Sequence, residues 1–218
     1  MLWPGRAPLR RASRPIEQTR STERFVASAL GIKSWMARMP TCAEARPASC
    51  PCCAAAARPV GSRLIIVGHG IVERQCRGPM AATGKPESVV LKVRRYRCRA
   101  CKAILVVGPV GLVRGRWYGA GAIALALEAY ARHETSASIR RRVSPSSTVG
   151  VSARERWVTL PRWLDAARGG RLFAVSGLGE LPRRRAAEHV VLALAGRAGR
   201  ALGADLAEAA FVGATIAA

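Results

Sequence analysis

The chain has 218 residues, half of them apolar but only 5% aromatic, and it carries 36 basic against 13 acidic side chains for a formal charge of +23. That length allows one medium domain or two small ones, and so few large side chains imply a thin core split into small modules that need local help to fold. A charge this far from zero resists compaction and calls for a polyanion, with nucleic acid the first choice and an anionic membrane surface the competitor. The charge is concentrated: residues 50–118 hold 13 basic and 2 acidic side chains. No apolar stretch reaches the roughly 20 residues of a membrane span. Gly119 to Ala131 is short and contains Glu128, and the stretch from Val190 is broken by Arg197, Arg200 and Asp205. The basic N-terminus lacks the continuous apolar run of a secretory signal. Seven cysteines, an odd number that includes CxxC pairs, fit a reducing cytoplasm better than a disulfide framework.

Residues 1–49, punctuated by Pro4, Pro8, Pro15, Pro40 and Pro47, read as a basic, largely disordered tail. One helix is predicted there, from about Thr22 to Arg38, with Phe25, Ala29, Leu30 and Trp35 on one side. Residues 50–118 read as a β-rich module. Arg63 to Val67 predicts a strand, Gly68-His69-Gly70 a turn, Ile71 to Cys76 a second, weaker strand, and Gly78 to Glu87 a loop. Ser88 to Arg97 alternates Val89, Leu91 and Val93 with Lys92 and Arg94, the period of a half-buried strand, and Ala103 to Val107 predicts the last one.

Residues 119–169 change to a helical period. Ala120 to Arg132 spaces Ile123, Leu127 and Tyr130 as a helix, and Thr135 or Ser136 caps a short helix through Arg142. Ser152 and Glu155 have the spacing of a capping box, and Trp157, Leu160 and Leu164 share the face that follows. Pro161 should restart that helix with Thr159 as its cap. Residues 170–218 divide into a Gly/Pro/Arg linker and Ala-rich helices broken at Gly203. The expected fold class is α+β: a small β-rich zinc ribbon, an all-α helix-turn-helix-like domain, then C-terminal helices.

The sharpest signal is cysteine spacing. Cys50-Pro51-Cys52-Cys53 and Cys98-Arg99-Ala100-Cys101 each let two thiolates converge from one tight turn, and two such turns complete a tetrahedral structural Zn²⁺ site. The expected ligands are Cys50, Cys53, Cys98 and Cys101. The 44 residues between Cys53 and Cys98 exceed the compact spacing and require an inserted excursion. Cys52 could replace either ligand of the first turn, and Cys76 or His69 could substitute. Four thiolates leave no open coordination position, so such a site folds the chain and does not activate water.

Two surfaces are expected to meet DNA. Arg94, Arg95, Arg97, Arg99 and Lys102 surround the second turn, with Tyr96 placed to stack a base. The helix ending in Arg140, Arg141 and Arg142, followed by one presenting Arg154 and Arg156, has the outline of a helix-turn-helix. The competing reading is a plain helical bundle with Trp157 and Trp163 in its core.

The pieces CPCC, GHGIVERQCRGP, VVLKVRRYRCRACKAILVV, YGAGAIALALEAYA, IRRRVSP and SARERWVTLPRWLDAARGGRLF together resemble a family of bacterial zinc-ribbon and helix-turn-helix proteins, mostly uncharacterised and transposase-like or associated with mobile elements. The resemblance covers about residues 50–215, and residues 1–49 lie outside it. It implies DNA binding by a zinc-dependent accessory or remnant of a transposable element, cytoplasmic and nucleoid-associated. Rival readings are a transcription regulator, or an interaction module that docks on a recombinase or polymerase. An enzyme is not expected. A transposase needs three carboxylates around two metal ions, whereas Asp165 and Asp205 are the only aspartates and neither falls on a predicted strand.

Overall fold

The computed structural model describes residues 23–146, 157–199 and 205–217. Its class is α+β, a four-stranded mixed sheet and, among the described residues, six helices. Strands β2 (Ile66–Pro79) and β3 (Pro86–Cys98) form a long antiparallel hairpin whose register runs from Ile66 opposite Cys98 to Pro79 opposite Pro86. A tight turn carries β3 back into β4 (Ile104–Val110), again antiparallel, with Arg97 opposite Ile104. The apolar run Ile104-Leu105-Val106-Val107 suits a central strand covered on both faces, and Leu105, Val106 and Val107 are buried.

The fourth strand comes from the stretch read as a tail. β1 (Arg24–Gly31) lies parallel to β4, with Arg24 opposite Leu105 and Ala27 opposite Gly108, so the order is β1-β4-β3-β2. The helix expected from Thr22 to Arg38 is therefore corrected: residues 24–31 are extended, and only the six-residue α1 (Ile32–Ala37) is helical. Pairing with a distant strand overrides the local period. Trp35 on α1 is buried, and its Nε1–H donates to the Lys92 carbonyl at 2.9 Å, fastening this segment to β3. The Gly68-His69-Gly70 turn is also corrected, because β2 runs through it. The register slips between Gly68 and Ile71, a bulge that Gly70 accommodates at φ +102°.

The helices form a second layer around α2 (Ala120–Ala131), which is buried on all sides from Ala120 to Ala129. Its small side chains admit close neighbours: α3 (Ser136–Val143), α4 (Thr159–Arg168), α5 (Arg183–Arg197) and α6 (Leu206–Ile216). Thr135 caps α3 as expected, its side chain accepting from the Ser138 N–H. Thr159 opens α4 as its first residue, and Val158 rather than Thr159 occupies the cap. Pro161 sits in the first turn, where its missing N–H leaves no bond unmade. The capping box at Ser152 and the break at Gly203 lie outside the described residues.

Buried Glu128 is α2's one charged residue. It pairs with Arg132 at 2.7 Å and with Arg142 at 3.3 Å, so α3 is bound to α2 by charge as well as by packing. Tyr118, Trp157 and Trp163 meet edge to face at centroid distances of 5.0–6.4 Å, and Trp163 is fully buried, as the bundle reading requires. The two layers join at Gly78, whose φ is +115° and where a Cβ would lie 2.3 Å from that of Ala122. Next to it, the Arg77 N–H donates to the Trp117 carbonyl and the Gly119 N–H to the Arg77 carbonyl. No described helix is long and apolar enough to cross a membrane.

Candidate metal centre

Cys50 and Cys98 open two turns built to one plan. In each, the first cysteine's N–H donates to the carbonyl five residues on (Ala55 and Ala103), and its own carbonyl accepts from the N–H four residues on (Ala54 and Lys102). That fourth residue takes a left-handed backbone in both, Ala54 at φ 57° and Lys102 at φ 64°. For a side-chain-bearing residue the conformation costs about 1–2 kcal/mol, so two copies need a compensating reason. The reason lies in what the turns present. The Ala55 N–H bonds the Cys53 sulfur, and the Ala103 N–H bonds the Cys101 sulfur in the equivalent place. The Cys52 N–H points at the Cys50 sulfur at 3.5 Å. Backbone amides aimed at sulfur favour thiolate over thiol.

The two turns are brought face to face by the sheet. Cys98 ends β3, and the first turn is fixed through Ala57, whose carbonyl accepts from the Ile65 N–H at 2.9 Å, while the Arg99 N–H donates to the Ile65 carbonyl at 2.9 Å. As a result Cys50 and Cys101 sulfurs are 3.7 Å apart, Cys53 and Cys98 sulfurs are 3.7 Å apart, and all four lie within 4.8 Å of one another. A tetrahedral metal with bonds of about 2.3 Å to sulfur has edges of about 3.8 Å between them. The four expected ligands are thus together, in a geometry compatible with one metal ion.

Their protonation reflects mutual repulsion. Burial alone would raise the Cys50 thiol, but the Cys52 and Cys53 amides and the Cys101 and Cys53 thiols outweigh it and bring it down to about 7. Cys101 goes the other way, to about 12, because the Ala103 amide is outweighed by desolvation and by the three neighbouring sulfurs. Cys53 is also raised: the Ala55 amide and the Cys101 thiol lower it, but desolvation, Cys50 and Cys98 overcome them. One thiolate forms readily near neutral pH and makes the others harder to form, the charge problem a bound cation resolves.

The alternative ligands are not brought to the cluster. Cys52 is exposed and contributes its amide rather than its sulfur, standing where Ala100 stands in the second turn. His69 is exposed on the β2 bulge, and Cys76 is buried in the sheet core, where burial raises its thiol to about 11. Sequence reading missed Ala54 altogether, and it named Lys102 only as a cation for DNA, not for its backbone. Neither type signals a left-handed turn, and only their matching offset from the two cysteine pairs could have shown it.

The basic side chains expected around the second turn divide. Arg97, Arg99 and Lys102 are exposed. Arg94 is half-buried and donates through Nε to the Pro40 carbonyl, and the half-buried Arg95 has its Nε inside the protein without a partner. Tyr96 requires correction: it is fully buried, and its hydroxyl donates to the Cys42 carbonyl at 2.9 Å, which leaves no face for a base. Of the helical set, Arg141 is exposed, Arg140 is half-buried, and Arg142 is drawn inward to Glu128 and Glu134. Arg154 and Arg156 lie outside the described residues. No protein-family model, curated protein or solved structure matches the chain.

Proposed function

We propose that the chain is a zinc-dependent DNA-binding protein, an accessory or remnant of a mobile element, in which a zinc ribbon organises a basic surface and no chemistry is performed. The observation that carries the reading is the pair of matched cysteine turns with exposed cations beside them. Arg99 and Lys102 flank Cys101, Arg97 precedes Cys98, and Arg58 and Arg63 are exposed on the segment that anchors the first turn. Zinc is favoured because four thiolates in a closed tetrahedron are its usual structural setting, with iron the principal competitor for such a site. Exposed Arg141 on α3, and the helix expected from Ser152 with Arg154 and Arg156, supply a second contact of helix-turn-helix type.

The test has two parts. Metal analysis of the purified protein should find one zinc per chain, lost together with the fold of residues 50–110 on chelation. Binding to duplex DNA, followed by fluorescence anisotropy, should weaken steeply with salt. Five phosphate contacts predict a slope of log affinity on log salt of about −4.5. A metal-free folded protein, or duplex affinity that salt does not change, overturns the reading. A defined consensus recovered from random duplexes would point instead to a transcription regulator.

A further inference from the structure

The fold exposes an aromatic ring that none of the above uses. Among the described residues Trp117 is the one exposed aromatic side chain, 63% accessible, in a protein whose other described tryptophans lie in its cores or against them. It is not loosely held. Its carbonyl accepts from the Arg77 N–H at 2.6 Å, Tyr118 bridges to Arg77, and the next residue, Gly119, donates back to the Arg77 carbonyl. The Arg77 guanidinium lies 4.5 Å from the centre of the indole and is itself fixed by Gln75 at 3.0 Å. The ring is therefore backed by a cation on one side and held rigid at the edge of the sheet, while still largely open to solvent.

The indole also lines a cavity of about 430 Å³ between β2 and the 112–117 loop, walled by Glu23, Arg74, Arg114 and Arg116 among others. That volume falls within the roughly 300–1,000 Å³ of small-molecule sites. Around it stand four guanidinium groups, of Arg74, Arg77, Arg114 and Arg116, against the two carboxylates of Glu23 and Glu73. Glu23 is already engaged by Arg74 at 3.3 Å, and its backbone carbonyl holds Arg114 at 3.0 Å. Arg116 has no side-chain partner among the described residues and is free to take a phosphate. A rigid aromatic face, a recess beside it and an excess of guanidinium is the combination that stacks an unpaired base and grips its backbone, whereas duplex DNA keeps its bases stacked on one another.

We infer that Trp117, backed by Arg77 and flanked by Arg114 and Arg116, binds an unpaired nucleotide of single-stranded DNA. This inference rests on the DNA-binding reading above but concerns a different surface, so the two can fail separately. The measurement uses the full-length, metal-loaded chain with fluorescein-labelled oligo(dT) and, in parallel, a short blunt duplex. Trp117→Leu should weaken oligo(dT) binding about 10- to 100-fold, the worth of one stacked base, and leave duplex affinity unchanged. Trp117→Phe should keep most of the oligo(dT) affinity. Its ring occupies the same place, which guards against a folding artefact; oligo(dT) should quench the tryptophan emission of the wild-type chain, and that quenching should disappear in the Phe variant. Oligo(dT) affinity that survives in the Leu variant, quenching that survives in the Phe variant, or equal loss for strand and duplex overturns this inference and leaves the duplex reading standing. A wild-type chain that binds duplex but not oligo(dT) does the same. Binding to neither removes both.

Discussion

The sheet and the helical layer solve the same problem, too few large apolar side chains, in opposite ways. The helical core gathers its large side chains, Trp163 among them, by using small residues where helices approach closely: α2 is buried along almost its whole length, and a Cβ on Gly213 of α6 would lie 1.7 Å from the Leu194 carbonyl oxygen of α5. The sheet core has its own large pieces, Trp35, Tyr96, Ile66, Leu91 and Leu105, but it ends at a cluster of sulfurs that repel one another as they ionise. One layer closes on its own packing; the other ends in four sulfurs placed as a metal ion would need them. The two layers should therefore respond separately to the same insult, although they are joined at Gly78.

The strongest way to expose that difference is to remove a sulfur. Structural zinc contributes about 10–16 kcal/mol in small finger peptides, as much as a whole domain's stability. Cys98→Ser should therefore lose the metal and unfold the sheet, while helical circular dichroism from α2 to α6 persists. Hydrogen exchange resolved along the chain reads both, and uniform loss of protection would mean that the layers are one cooperative unit. The reciprocal cut is Glu128→Ala, which removes the buried acceptor shared by Arg132 and Arg142 while leaving both guanidiniums within reach of solvent and Glu134, and should cost about 1.5–3 kcal/mol of helical stability with metal content unchanged. Smaller, and again confined to the helices, Gly213→Ala should cost about 1–3 kcal/mol by forcing α5 and α6 apart, measured by denaturant midpoint.

Alkali should act on the sheet first. Cys76 titrates at about 11 in the folded chain against an ordinary value of 9.0, mainly through burial, so its contribution is complete below about pH 9 and lost as pH rises through 11. Tyr96, raised to about 12 chiefly by burial, adds a loss at still higher pH. Sheet protection should thus fall before helical protection in a pH series, and a simultaneous fall would count against it. The smallest effect is a gain. Lys102→Gly relieves the left-handed backbone of the second turn and should stabilise the sheet by about 1 kcal/mol without altering metal stoichiometry.

What could be read in the sequence follows from the range of each interaction. The cysteine turns, β3 and β4, α2, and α3 with its Thr135 cap depend on residues within a few positions, and their spacing showed them. β1 did not show, because what makes Arg24 to Gly31 extended is β4, some eighty residues on. Tyr96 misled for a related reason. Alternation along β3 suggested one wet face, but the chain around Pro40 and Cys42 returns to cover it and takes both the Tyr96 hydroxyl and Arg94. Trp117 drew no attention because nothing in Arg-Gly-Arg-Trp says which of its side chains the fold leaves outside.

The parallel pairing of β1 with β4 also bears on how the chain is made. β1 is synthesised before its hydrogen-bonding partner, which begins at Ile104 and follows only after 72 further residues. At a translation rate of about 5–20 residues per second, that leaves the first strand without its partner for about 4–15 seconds, and the 44 residues between Cys53 and Cys98 leave the first cysteine turn without its counterpart for about 2–9 seconds. During that interval a nascent strand edge and unligated thiols are both open to the wrong neighbour. On the proposed metal site, an ion could join the two turns only once Cys101 is made, just before β4 begins, so a shortage of metal would be felt by the unfinished protein before it was felt by the finished one.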